Sequence, residues 1–117
     1  MVLVDSSVWV NHFHRRDARL VDLLDAGEVL THSLIVGELA CGNLTARHAT
    51  LELLHLLPKS VEASATEVLA VIEHGRLFGT GLGVVDVHLL AAARLSDATL
   101  WTHDKALARA AERIHAM

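Results

Sequence analysis

Short β-branched runs set apart by helix-length stretches constrain this chain more than any other feature of its sequence. Val2-Leu3-Val4 is too short for a helix and ends at Asp5-Ser6-Ser7, residues that suit a helix N-cap. Glu28-Val29-Leu30-Thr31 reads as a second strand, and the segment Ala98 to Thr102 as a third. Strands separated by helical segments of this length pair in parallel through right-handed crossovers. The expected class is therefore α/β with a small, mainly parallel sheet.

The helical stretches carry their own start and stop signals. Ala18 to Ala26 places Leu20, Val21, Leu23 and Leu24 opposite Arg19, Asp22 and Asp25, and Gly27 follows as a C′ residue. Ser33 can cap a helix through Leu34, Ile35, Leu39 and Ala40, and Leu44 to Leu57 is Leu-rich and closed by Pro58. Ser64-Ala65-Thr66-Glu67 has capping-box spacing and predicts a helix to about Phe78. Gly79, Gly81 and Gly83 then form a loop before an apolar helix from Val84 to Leu95, and Lys105 to Arg113 is the last helix. No linker or repeat divides residues 1–117, which are expected to form one domain.

Composition removes several classes of function. A hydrophobic fraction of 52% excludes a disordered chain, yet no apolar run approaches the roughly 20 residues that span a bilayer. Cys41 is the sole cysteine and no secretory signal is visible, so a cytoplasmic, reducing compartment is expected. Ten Lys and Arg against fourteen Asp and Glu give a formal charge of −4. That balance argues against indiscriminate nucleic-acid binding through a basic surface.

Four of the acids keep unusual company. Asp5 ends the first strand and Asp104 follows the third, and in open parallel sheets ligands gather beyond the carboxyl ends of strands. Glu38 lies one turn from Leu34 and Ile35, and Asp86 sits within Val84-Val85-Asp86-Val87. Half-buried carboxylates are costly unless paired, hydrogen-bonded or bound to a cation, and few basic residues are near. A shared Mg²⁺ or Mn²⁺ suits an all-oxygen set of this kind. Without these four, acids and bases balance at ten each. Three also have a plainer explanation: Asp5 and Asp104 are good N-caps, and Asp86 at a helix start favours the dipole; Glu38, within its helix rather than at an end, is the hardest to explain so.

Other groupings are weaker. His12-Phe13-His14 and His103-Asp104 resemble fragments of metal motifs, but further ligands at zinc spacing are missing. Lys105, Arg109 and Arg113 recur every four residues, either as a solvated face or as RNA-backbone contacts, and Arg15, Arg16 and Arg19 form a second basic patch. With aromatics at 3%, base-stacking platforms are scarce, and Trp9 and Trp101 are expected in the core. The Leu44 to Leu57 helix could serve core, dimer interface or partner groove.

Val2 to Trp9, Gly37-Glu38-Leu39, Gly83-Val84-Val85-Asp86 and Leu100-Trp101-Thr102-His103-Asp104-Lys105 occur in one order across nearly the whole chain. In these motifs the sequence resembles the PIN-domain proteins, specifically the VapC toxins of type II toxin–antitoxin modules. The resemblance implies a three-layer α/β/α domain and a Mg²⁺- or Mn²⁺-dependent endoribonuclease, homodimeric and neutralised by a VapB-type antitoxin. It places the four site acids on Asp5, Glu38, Asp86 and Asp104, with supporting hydroxyls on Ser6 and Thr102. A metal held by Asp5 and Asp86 would activate a water for phosphodiester hydrolysis, with Glu38 and Asp104 completing the site. Arg15, Arg16, Lys105 and Arg109 are the expected RNA contacts. The rival expectation is a catalytically silent module that only engages an antitoxin.

Overall fold

A computed structural model of the chain describes residues 1–115. Val2–Val4 (β1), Val29–Leu30 (β2) and Thr99–Trp101 (β3) form a wholly parallel sheet in the order β2-β1-β3. The register pairs Val2 with Val29 and Thr99, Leu3 with Leu30 and Leu100, and Val4 with Trp101. β1 lies at the centre of the sheet, with Leu3 and Val4 fully buried. Beyond β2, Thr31 bridges in parallel to Lys59: its N–H donates to the Pro58 carbonyl at 2.9 Å, and its carbonyl accepts from Ser60 N–H at 2.8 Å.

Seven helices surround the sheet: α1 (Ser6–His14), α2 (Ala18–Asp25), α3 (Ser33–Cys41), α4 (Arg47–Leu56), α5 (Ala65–Gly75), α6 (Val84–Leu95) and α7 (Lys105–His115). Their apolar faces divide the core in two. One cluster joins β1, β2 and α1 to α4 with Leu89, Ala92 and Ala93 of α6. The other joins α5 and α7 to Val87, Leu90 and Ala91 of α6. α6 thus contributes to both clusters, which accounts for its nearly continuous apolar sequence. Among the described residues no helix is long and apolar enough to cross a membrane.

Several local expectations hold. Gly27 ends α2 at φ +69°, with Glu28 N–H donating to the Leu23 carbonyl at 2.9 Å, as in a Schellman-type stop. Ser64 and Glu67 form both halves of the capping box, and α6 begins and ends where the sequence placed it. Other boundaries move for identifiable reasons. α1 was not anticipated; it buries only Val8 and Trp9, too few apolar positions to announce a helical period. His32, not Ser33, caps α3: its Nδ1 accepts from Leu34 N–H at 3.0 Å. α4 starts at Arg47 rather than Leu44, because Ala46 adopts the left-handed conformation (φ 48°). α5 stops at Gly75, short of Phe78, where Arg76 turns left-handed (φ 51°). β3 starts one residue after Ala98 and ends before Thr102.

Candidate active site

Asp5, the residue after β1, is 7% exposed, one of few buried polar side chains. Its backbone continues the sheet, with N–H donating to the Trp101 carbonyl at 2.9 Å. Although it occupies the N-cap of α1, its carboxylate makes no capping bond. Instead Oδ2 accepts two hydroxyls, from Thr102 Oγ1 at 2.7 Å and from Ser7 Oγ at 2.9 Å. Each hydroxyl has one proton, and both are committed to Asp5. Their lone pairs then accept backbone N–H groups of the next loop, Asp104 N–H on Thr102 and His103 N–H on Ser7, each at 3.0 Å. Ser7 was missed by sequence reasoning, which carried only the first of the two serines after Asp5.

The other three acids arrive on helices. Asp86, in the first turn of α6, accepts from Gly83 N–H through Oδ2 at 3.2 Å; glycine has no side chain, so this is half a capping box. Asp104 precedes α7 and accepts from Leu107 N–H through Oδ1 at 3.0 Å, so its capping role is real. Glu38 sits mid-helix in α3, where Ser6 Oγ donates to Oε1 at 3.3 Å. Glu38 is an exposed residue beside the buried Ile35 and Leu39, not on the apolar face where the sequence placed it.

A common pattern runs through the four. Each carboxylate has one oxygen tied by a local donor, and the second has no donor among the described residues except a 3.5 Å contact of Ser6 Oγ to Asp5 Oδ1. None of the four forms a salt bridge among the described residues. Ser6 Oγ lies between Asp5 and Glu38, and Thr102 Oγ1 joins the Asp5 carboxylate to the Asp104 backbone. Partial burial, then the charge of Asp5 and that of Asp86, raise the Glu38 carboxyl above the ordinary range, against the lowering bond from Ser6. Partial burial also raises Asp86, helped by Asp104 and Asp5 and opposed by the Gly83 bond.

Among the described residues no group of three or more His, Cys, Asp or Glu side chains is close enough to hold an ion as it stands. The donor set is carboxylate oxygen alone, without thiolate or imidazole, which does not suit a structural zinc site and is of the kind Mg²⁺ or Mn²⁺ take, with several waters kept around one or two carboxylates.

Arg15 and Arg16 follow α1 and are exposed, as are Lys105 and Arg109 on α7; among the described residues none is ion-paired. His12 and His14 stand on opposite sides of α1, and His12 Nδ1 accepts from Asp17 N–H at 2.9 Å. A cleft of about 710 Å³ follows the outer edge of β3, lined by Leu90, Arg94, Trp101, Ala111 and Ile114 among others. It contains none of the four acids, and the carboxylate chemistry, not the larger concavity, marks the site.

Known proteins agree with this architecture. The family model for the PIN domain matches residues 2–113. A Mycobacterium tuberculosis protein named ribonuclease VapC32 is 44% identical over 108 residues, covering 92% of this chain and 87% of the relative. The crystal structure of FitAcB from Neisseria gonorrhoeae superposes with a TM-score of 0.64 at 20% identity, covering 96% of this chain and 94% of that one. PAE2754 from Pyrobaculum aerophilum superposes with a TM-score of 0.61 at 20% identity, over 99% and 90% of the two chains. The two structures speak for the fold alone. The family match and the close relative carry the assignment: this chain belongs to the PIN-domain family and is of the VapC type.

Proposed function

We propose that the chain is the toxin of a type II toxin–antitoxin pair, an endoribonuclease that uses Mg²⁺ or Mn²⁺ at Asp5, Glu38, Asp86 and Asp104. The single observation that carries this reading is the half-tied state of all four carboxylates, each fixed through one oxygen and open at the other. The name of the VapC32 relative supports RNA as substrate, and VapC-type membership supports a VapB-type antitoxin as partner.

A bound ion would lower the pKa of a water in its shell and screen the scissile phosphate. The chain supplies the rest. Asp5 presents Oδ1 in a fixed direction, because Ser7 and Thr102 hold Oδ2. Asp86 is fixed by its bond to Gly83, so α6 sets its position rather than a mobile rotamer. Glu38, held at Oε1 by Ser6, leaves Oε2 to position an attacking water. Asp104, held by α7, flanks the site on the loop shared with Thr102. Arg15, Arg16, Lys105 and Arg109 offer exposed charge to the RNA backbone.

The test is incubation of purified protein with total cellular RNA in Mg²⁺, in Mn²⁺ and in chelator, beside Asp5→Asn. Cleavage that needs the ion and is lost in a folded Asp5→Asn protein is the expected result. Cleavage insensitive to chelation would remove the metal mechanism. A protein that cuts no RNA yet binds an antitoxin would be the silent module.

A further inference from the structure

Beside the carboxylates lies a strip formed by the side chains of Arg19, Trp101 and His103, none of which hydrogen-bonds to a site acid. Arg19, in the first turn of α2, carries its guanidinium carbon 4.4 Å from the centre of the Trp101 ring. Trp101 is half-buried rather than wholly in the core, a departure from what the sequence suggested. The exposed His103 ring meets it edge-on, 6.2 Å between centres and 81° between planes. The strip is anchored to the site at both ends of one loop: the Trp101 carbonyl accepts from Asp5 N–H at 2.9 Å, and His103 N–H donates to Ser7 at 3.0 Å.

We infer that Arg19, Trp101 and His103 form a docking surface for single-stranded RNA next to the cleavage site, with a base stacked on the outer face of Arg19. This rests on the RNA-cleaving reading above. Arg19 is exposed, forms no ion pair among the described residues, and carries its guanidinium over the indole. A guanidinium held this way offers an open plane for stacking and N–H donors in that plane for a phosphate. A nucleotide presents both a flat base and an anionic oxygen, so it uses both features; a small anion would use one. A base within a duplex is already stacked on its neighbours, so the surface selects a single strand. Stacking tolerates any base, and the strip adds affinity and strandedness without reading sequence.

The test measures binding of a short mixed-sequence oligoribonucleotide, single-stranded or annealed to its complement, in chelator, and KM against kcat in Mg²⁺. The proteins are wild type, Arg19→Ala and Arg19→Lys, with a Trp9→Phe background leaving Trp101 as the fluorescent reporter. Wild type is expected to bind the single strand more tightly than the duplex and to quench Trp101. Arg19→Ala is expected to weaken single-strand binding about five- to thirtyfold. It should raise KM with kcat unchanged, because the residue touches no site acid, and lower the melting temperature only slightly through loss of the Trp101 contact. Arg19→Lys keeps the charge without the plane and should recover less than half of the loss. Equal binding by Arg19→Ala, full recovery by Arg19→Lys, or equal affinity for duplex would each overturn the proposal. Wild type that neither binds nor cuts any RNA would instead defeat the RNA reading itself.

Discussion

The Ser7 hydroxyl donates to Asp5 Oδ2 at 2.9 Å while accepting His103 N–H at 3.0 Å, so one small side chain ties the central carboxylate to the loop that bears Asp104. With Thr102 on the same oxygen at 2.7 Å, Oδ2 is saturated, while Oδ1 carries only the 3.5 Å contact of Ser6 Oγ and on the proposed reading is the oxygen that would meet an ion. Ser7→Ala is expected to lower Mn²⁺ affinity about tenfold to a hundredfold, as loss of a supporting hydrogen bond does in metal sites. Stability should fall by about 1 to 2 kcal/mol, because His103 N–H loses its acceptor. Ser7→Thr should recover most of both. Calorimetric titration with Mn²⁺ checks this, and unchanged affinity in Ser7→Ala would mean that Thr102 alone orients Asp5.

Glu38 and Asp86 carry raised carboxyl pKa values, through partial burial and then through their acidic neighbours. A carboxyl whose folded value lies above its unfolded one favours the fold while protonated. That contribution is present at acid pH and is lost as pH rises through the folded value. The ion-free protein should therefore be strained at neutral pH. Glu38→Gln combined with Asp86→Asn is expected to melt above wild type in chelator, and the gap should close on acidification. With Mn²⁺ the order should reverse, since only wild type gains stability from binding the ion. Thermal melts across pH, with and without ion, decide the matter; a double variant that melts below wild type in chelator would contradict it.

Much of this was legible in the sequence because its signals were local. The Ser64 and Glu67 capping box, Gly27 after α2 and the apolar run of α6 each act within a few residues, and each fell where expected. Asp5 and Asp104 stood out in the sequence by their position after strands, since parallel pairing brings strand ends together, whereas Glu38 and Asp86 stood out only as acids beside apolar residues on their helices. The role of Ser7 was not, because it depends on β3 lying beside β1, a contact between residues 95 positions apart such as Ser7 and Thr102. Glu38 was misplaced toward the core because Leu34 suggested a wider apolar face, whereas Ile35 and Leu39 are the residues α3 buries. The left-handed Ala46 and Arg76 left no mark, since both residue types ordinarily continue a helix.

Gly27 provides a control away from the site. At φ +69° it closes α2, and a Cβ there would meet nothing within 4 Å, so the cost of substitution is backbone strain alone. Gly27→Ala is expected to lower stability by about 1 kcal/mol and to leave RNA cleavage per folded molecule unchanged. Urea unfolding together with the cleavage assay tests this. Loss of activity without loss of stability would show that α2 communicates with the carboxylates.

His32 links the stability of α3 to pH. It is 2% exposed, its Nδ1 accepts from Leu34 N–H at 3.0 Å, and its Nε2 has no partner among the described residues. An accepting Nδ1 requires the neutral ring, and burial lowers the pKa, with His88 adding to this and Glu62 opposing it. A histidine lowered in the fold contributes stability that is present above its unfolded value and lost as pH falls through the folded one. Protonation removes the cap of the helix that carries Glu38. His32→Ala is expected to cost about 2 to 4 kcal/mol at neutral pH, combining the lost cap with the space left by the ring. His32→Asn, which keeps an acceptor, should cost less, and both should flatten the fall in stability below neutral pH. Urea midpoints at neutral and mildly acidic pH measure these differences, and an acid-sensitive His32→Ala protein would move the titrating group elsewhere, to Glu62 or His88.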